Sequence, residues 1–329
     1  MTGRTRRMLA ASITALAAAF LAGCASPSDR ALERSLPALQ SRFAGAPAAT
    51  SRTARAPRCG DPTRSLRPPA RLPAPGRMPL GTFMRTIQDR GRLIAGVDQN
   101  TLRFSYLNPF TGRLEGFEID LLRRIAHALL GDSHAIEFKV ITSAQRIPAI
   151  QQRRVDIVAD AMTINCERAQ QVAFTTPYYE AGQRVLVRSE FPAKGIRDLA
   201  GKRVCATIGS TSIENIRAAD AGMIPYGVPQ RTDCLVALQE GVVDAISTDD
   251  TILLGFHTQD PYTRIVGRRF SHEPYGMAIA KSHPEFVRFI NGVLAQFAHD
   301  GTWSAIRDRW LGGLTRGQPR RPPPAHYRD

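Results

Sequence analysis

The fold class this sequence predicts is α/β in two lobes, each an open, mostly parallel sheet flanked by helices around a central cleft. Three observations predict it. Strand and helix patterns alternate as β-α-β-α-β from Leu93 to Ala159, which demands a parallel sheet with crossover helices. The alternation restarts near Val185. An apolar content of 43% over 329 residues is enough for two compact lobes once a leader and linkers are set aside.

The first lobe reads in order. Residues 83–88 form a short helix, and residues 93–97 a strand ending at Asp98. Phe117 opens a helix whose Leu121, Leu122, Ile125, Ala126 and Leu129 recur at helical spacing, and Gly131 stops it. Residues 136–141 and 155–159 are strands around a helix at 147–152. The second lobe follows, with strands at 185–187, 204–208, 223–228, 245–247 and 265–266. Helices start at Ile213 and span 235–240. Residues 277–280 form a last strand, and 285–311 two helical pieces. Trp303 and Trp310, seven apart on one face, read as core. The expected boundaries are 81–186 with 274–312 for the first lobe and 187–273 for the second. The joints fall at about Val185 to Val187 and Glu273 to Gly276, with Tyr178 and Tyr179 packing at the approach.

The ends have a different texture. The formal net charge is +15, but residues 1–80 hold 13 Arg against 3 acids, and residues 81–310 are nearly neutral. The basic excess therefore argues against a nucleic-acid-binding surface. Arg4, Arg6 and Arg7 precede a 15-residue apolar run, Met8 to Ala22, short for a span and suited to a signal peptide. Leu21-Ala22-Gly23-Cys24 resembles a bacterial lipobox, with Cys24 as the lipidation site. Residues 1–23 are then the signal peptide, and 24–80, with ten prolines after residue 25, a flexible tether. The tail 313–329 reads as disordered. The protein is expected outside the cytoplasmic membrane, held by lipid. That compartment favours disulfides among the remaining four cysteines. Cys205 with Cys234 is the preferred pair, since both fall in one lobe, which leaves Cys59 with Cys166.

Polar residues collect at strand ends, where open α/β sheets bind ligands. They are Asp98, Ser143 with Arg146, Ala161 with Thr163 and Arg168, Thr207 through Gly209, Ser210 and Thr211, and Asp249. The arginine fork of Arg168 fits a carboxylate bidentately. Backbone N–H groups and hydroxyls at 209–212, between a strand and a helix, suit an anion. Asp249, or Asp250, suits an ammonium. Carboxylate plus ammonium describes an α-amino acid. The sequence carries no nucleophile elbow, zinc-protease or dinucleotide motif, and the histidines show no ligand spacing, so neither enzyme chemistry nor a cofactor is expected.

The chain resembles bacterial extracellular solute-binding proteins of family 3 over about 85–311. The resemblance rests on Leu114-Glu115-Gly116-Phe117-Glu118-Ile119-Asp120-Leu121, Arg146-Ile147-Pro148-Ala149-Ile150, Thr163-Ile164 to Arg168, Phe174 to Tyr179, Leu199-Ala200-Gly201-Lys202, Tyr275-Gly276 and Asp300-Gly301-Thr302-Trp303 to Trp310. It implies a type II periplasmic binding fold and roles at matching positions. Arg168 clamps the α-carboxylate with Thr163 and Thr211, and Asp249 binds the α-ammonium. Asp98, Phe104 and Ser143 line the first-lobe side. Glutamine-specific members carry lysine where Thr207 stands here. The 207–212 loop and the 143–148 segment look like those of glutamate and aspartate binders, with Arg146 meeting a side-chain carboxylate. Asp98 stands where those binders can use an arginine, which leaves asparagine and glutamine open. The implied function is capture of a polar amino acid, an acidic one foremost, by hinge closure. Delivery is to an ABC permease with a cytosolic ATPase, and the receptor acts as a monomer. A membrane signalling partner is the alternative, and a dehydratase of the same fold a third.

Overall fold

The computed structural model describes residues 59–219, 221–312 and 321–328. The expected signal peptide, Cys24 and the tether up to residue 58 lie outside the described residues.

The first lobe is built on a five-stranded sheet in the order Ile136–Val140, Leu93–Val97, Ile157–Val158, Ala278–Ile279, Ala173–Phe174. The first three strands run parallel, and Ala278–Ile279 pairs antiparallel with both its neighbours. Helix Phe117–Leu130 packs Phe117, Leu121, Leu122, Ile125, Ala126 and Leu129 on its buried face. Each of these side chains larger than Ala126 contributes roughly 1.5–3 kcal/mol by leaving water. The helix stops at Gly131, which adopts φ 84° and returns its N–H to the His127 carbonyl.

The second lobe has its own five-stranded sheet, in the order Ile224–Val228, Arg203–Thr207, Ala245–Asp249, Gln183–Arg188, Thr263–Val266. Arg203–Thr207 is parallel to both its neighbours, whereas Gln183–Arg188 is antiparallel to both of its own. Cys205 on the sheet is bonded to Cys234 on helix Arg231–Gln239. The chain crosses between lobes through Tyr179–Ala181, paired antiparallel with Glu273–Tyr275. This moves the expected joint. Val185, Leu186 and Val187 are almost wholly buried inside the second sheet, as an unbroken apolar run on a central strand should be.

Two further expectations are corrected. The tether is not free along its whole length: residues 59–80 lie against the first lobe. Ser65–Leu66 pairs with Tyr327–Arg328, so part of the expected disordered tail is ordered as well. Asn291, fully buried, donates to the Leu66 carbonyl (2.7 Å) and the Ser65 hydroxyl (2.8 Å) and accepts from the Thr176 N–H (2.8 Å). Cys59 is bonded to Cys166, the pair left once Cys205 joins Cys234. Composition misled here because the strap is held by hydrogen bonds and a covalent link rather than by its own core. The antiparallel meander Asn100–Thr101, Ser105–Asn108, Arg113–Glu115 was also unforeseen, its strands being too short and polar for a period-two pattern.

Candidate functional site

The cleft faces the C-terminal ends of parallel strands from both lobes. Asp98 follows Leu93–Val97, Ala161 and Thr163 follow Ile157–Val158, and Asp249 closes Ala245–Asp249. Eight of the expected residues line one pocket there: Arg146, Ala161, Thr163 and Arg168 from the first lobe, and Thr207, Ser210, Thr211 and Asp249 from the second. Ser212, from the expected 209–212 turn, lines it too, as do Arg231, Thr248 and Ile252, which were not foreseen.

Arg168 sits in the four-residue helix Cys166–Ala169, whose cap Asn165 accepts the Arg168 N–H at 2.9 Å. Its guanidinium donates to the Thr163 carbonyl (2.8 Å) and, across the cleft, to the Gly209 carbonyl (3.2 Å). No carboxylate pairs with it among the described residues. Burial pushes its pKa down to about 9, so it stays charged at neutral pH. Gly209 is required where it stands. It adopts φ 79°, and a Cβ there would come within 2.7 Å of the Ala144 backbone in the other lobe. Ser210 caps helix Thr211–Ala218 by accepting the Ile213 N–H.

Asp249 has two unlike oxygens. Oδ2 accepts the Tyr275 hydroxyl at 2.5 Å, whereas Oδ1 is buried with no partner among the described residues. Burial, reinforced by the Glu273 charge, pushes its pKa up to about 7. A buried carboxylate oxygen without a donor carries a cost that a cation in the pocket would remove. The neighbouring Asp250 is not equivalent, because Arg269 holds its carboxylate at 2.6 Å.

Arg146 is also fully buried. It donates to the carbonyls of Ser143 (2.9 Å), Asp160 (3.0 Å) and Gly209 (3.1 Å), so its fork bridges the lobes. Burial lowers its pKa. Asp98 and Ser143 stand behind the pocket rather than on its wall, both in contact with Arg231 (2.7 and 3.4 Å). Phe104 is placed differently from expectation. Its ring is 1% exposed and packs 5.2 Å from Phe117 and Tyr179 and 5.8 Å from Tyr275. It supports Tyr275, which in turn holds Asp249.

Two charged residues of the site escaped the sequence reading. Glu273, in the hinge strand, accepts from the hydroxyls of Thr163 (2.6 Å), Thr211 (2.8 Å) and Ser271 (2.6 Å) and from Asn215 (3.1 Å). It thereby orients hydroxyls from both lobes. Arg231 is the first residue of its helix, where the dipole disfavours a cation. That misfit was the one available signal. Behind Ala161, at an unusual φ of 42°, Glu118 accepts the Ala161 N–H at 2.7 Å and the Tyr178 hydroxyl. Burial pushes the Glu118 pKa up to about 8. No group of three metal-ligating side chains occurs among the described residues.

Comparisons with known proteins point to one family. The sequence model of the bacterial extracellular solute-binding proteins, family 3, matches residues 93–313. The ABC transporter glutamine-binding protein of Bacillus subtilis (strain 168) is 35% identical over 231 residues, 69% of this chain and 84% of that protein. The L-glutamate/L-aspartate-binding protein of Pseudomonas aeruginosa is 29% identical over 239 residues, 69% of this chain and 79% of that one. Among solved structures, an ancestral arginine-binding protein bound to glutamine aligns with a TM-score of 0.64 at 37% identity, covering 68% of this chain and 99% of that one.

Proposed function

Because this chain belongs to the bacterial extracellular solute-binding proteins, family 3, we propose that its cleft captures a polar α-amino acid whose side chain ends in a carboxylate or amide. The observation that carries the proposal is the pairing within one pocket of Arg168, which meets no carboxylate among the described residues, with Asp249, whose Oδ1 meets no donor among them. Together they complement a zwitterion. Arg168 takes the α-carboxylate, toward which the Thr163 and Thr211 hydroxyls turn the protons they otherwise donate to Glu273, and Asp249 takes the α-ammonium. Among the described residues, Arg146 and Arg231 are the other charged groups lining the pocket, which favours an oxygen-bearing side chain. The glutamine-binding and glutamate/aspartate-binding names of two relatives support the same class.

Capture works by closure. The two lobes already share bonds through Gly209, and a ligand held by both stabilises that arrangement over an open one. The closed receptor then presents the amino acid to an ABC permease, from an exported protein anchored through Cys24. The role is delivery, without turnover. Titration calorimetry with aspartate, glutamate, asparagine, glutamine and arginine tests the reading. At least one acid or amide should bind near micromolar, about −8 kcal/mol, with arginine weaker. No binding of any acid or amide below about millimolar contradicts it.

A further inference from the structure

Asp98 and Asp160 stand at the ends of neighbouring strands of the first sheet and are both almost fully buried. Two buried carboxylates side by side stay ionised only if a cation meets them. Arg231 supplies it from the other lobe, with Nη1 2.7 Å from Asp98 Oδ2 and Nη2 2.7 Å from Asp160 Oδ1. It also donates to the Thr101 hydroxyl (3.0 Å) and the Asp160 carbonyl (3.3 Å). Every one of these partners belongs to the first lobe, and the same guanidinium lines the ligand pocket. Nothing local to the helix calls for an arginine at its first position, so the tertiary acid pair is what holds the residue there.

We propose that Arg231 is a specificity-determining residue, an internal cation that fills an anionic subsite made by Asp98 and Asp160 and so excludes cationic amino-acid side chains from the cleft. The inference rests on the amino-acid cleft proposed above. In the wild-type chain, an arginine or lysine side chain would have to expel Arg231 from its two carboxylates and lie beside Arg146. Without the Arg231 side chain, the same carboxylates face the pocket with room for a guanidinium.

Calorimetry with L-arginine on the wild type, Arg231→Ala, and Arg231→Ala combined with Asp160→Asn tests this. Arg231→Ala should gain at least about tenfold in arginine affinity over wild type, and Asp160→Asn should erase the gain. A thermal-shift titration with methylguanidinium probes the subsite without using the α-amino-acid clamp, so it separates failure of this inference from failure of the proposed function. Methylguanidinium should raise the melting temperature of Arg231→Ala and leave the wild type unmoved. Arg231→Gln, which retains an amide donor toward Asp160, guards against loss of folding and should show the same gain in smaller measure. The proposal is overturned by a folded Arg231→Ala or Arg231→Gln that gains neither arginine nor methylguanidinium binding. It is equally overturned if both variants fail to fold in tens of millimolar methylguanidinium, or if the wild type already binds arginine as well as the acids and amides.

Discussion

At Asp249 one carboxylate oxygen is held by Tyr275 and the other has no partner among the described residues. Its pKa, pushed up to about 7 by burial and the Glu273 charge, has consequences of two signs. If the proposed ligand ammonium sits on Asp249 it binds the ionised form, so affinity should fall as pH drops below about 7, by up to tenfold per unit, and level off above it. The ligand-free fold behaves oppositely. The folded state holds the Asp249 proton more tightly than the unfolded chain, so this group makes stability decline as pH rises from about 4 to about 7. Calorimetry from pH 5 to 8 checks the first effect, and a flat affinity across that range contradicts it. At this scale Arg168, Thr163 and Asp249 were legible because each stands at a strand end with chemistry suited to a zwitterion. Arg231 and Glu273 were not. An arginine starting a helix and a glutamate before Pro274 look like surface residues until the partner lobe is in place.

Among the elements, the short helix Cys166–Ala169 matters most, because it carries Arg168 and has only four residues to hold it. Cys166 ties that helix to Cys59 on the strap, and the strap is in turn fixed by Ser65–Leu66, Asn291 and Tyr327–Arg328. The family match begins at residue 93, so the strap lies outside it. The cross-link closes a chain segment of sequence separation 107, for which chain entropy gives an upper stabilisation of about 5 kcal/mol. Replacing Cys59 and Cys166 by Ala, with Cys205–Cys234 intact, should lower the unfolding free energy in urea by roughly 3–4 kcal/mol. A loss below about 1 kcal/mol would mean that the strap contributes little beyond its hydrogen bonds. The long amphipathic helices and central strands were readable from periodicity, since apolar spacing alone determines which face is buried. The strap was not, because proline-rich composition signals only that a segment builds no core of its own. It does not reveal a buried asparagine elsewhere that satisfies its backbone.

At the scale of the molecule, closure brings three buried guanidiniums together with buried acids from both lobes. Arg231 is balanced by Asp98 and Asp160, and Arg146 is spent on carbonyls from both lobes. Arg168 also donates to carbonyls of both lobes but, unlike Arg146 with Asp160 at 3.9 Å, pairs with no carboxylate among the described residues, so it and Asp249 remain the complementary pair for a zwitterion. The two-lobed architecture was visible in the restarted strand–helix alternation, but the crossing point was not. Short hinge strands such as Tyr179–Ala181 lack a pattern of their own, and only pairing with Glu273–Tyr275 defines them. The central claim is that the cleft grips both ends of an α-amino acid at once. Titration calorimetry with L-glutamate, 4-aminobutyrate and glutarate, which lack respectively nothing, the α-carboxylate and the α-ammonium, tests it most directly. The account predicts that loss of either group weakens binding by about 100-fold or more, roughly 3 kcal/mol. Glutarate or 4-aminobutyrate binding within a few-fold of glutamate would contradict it.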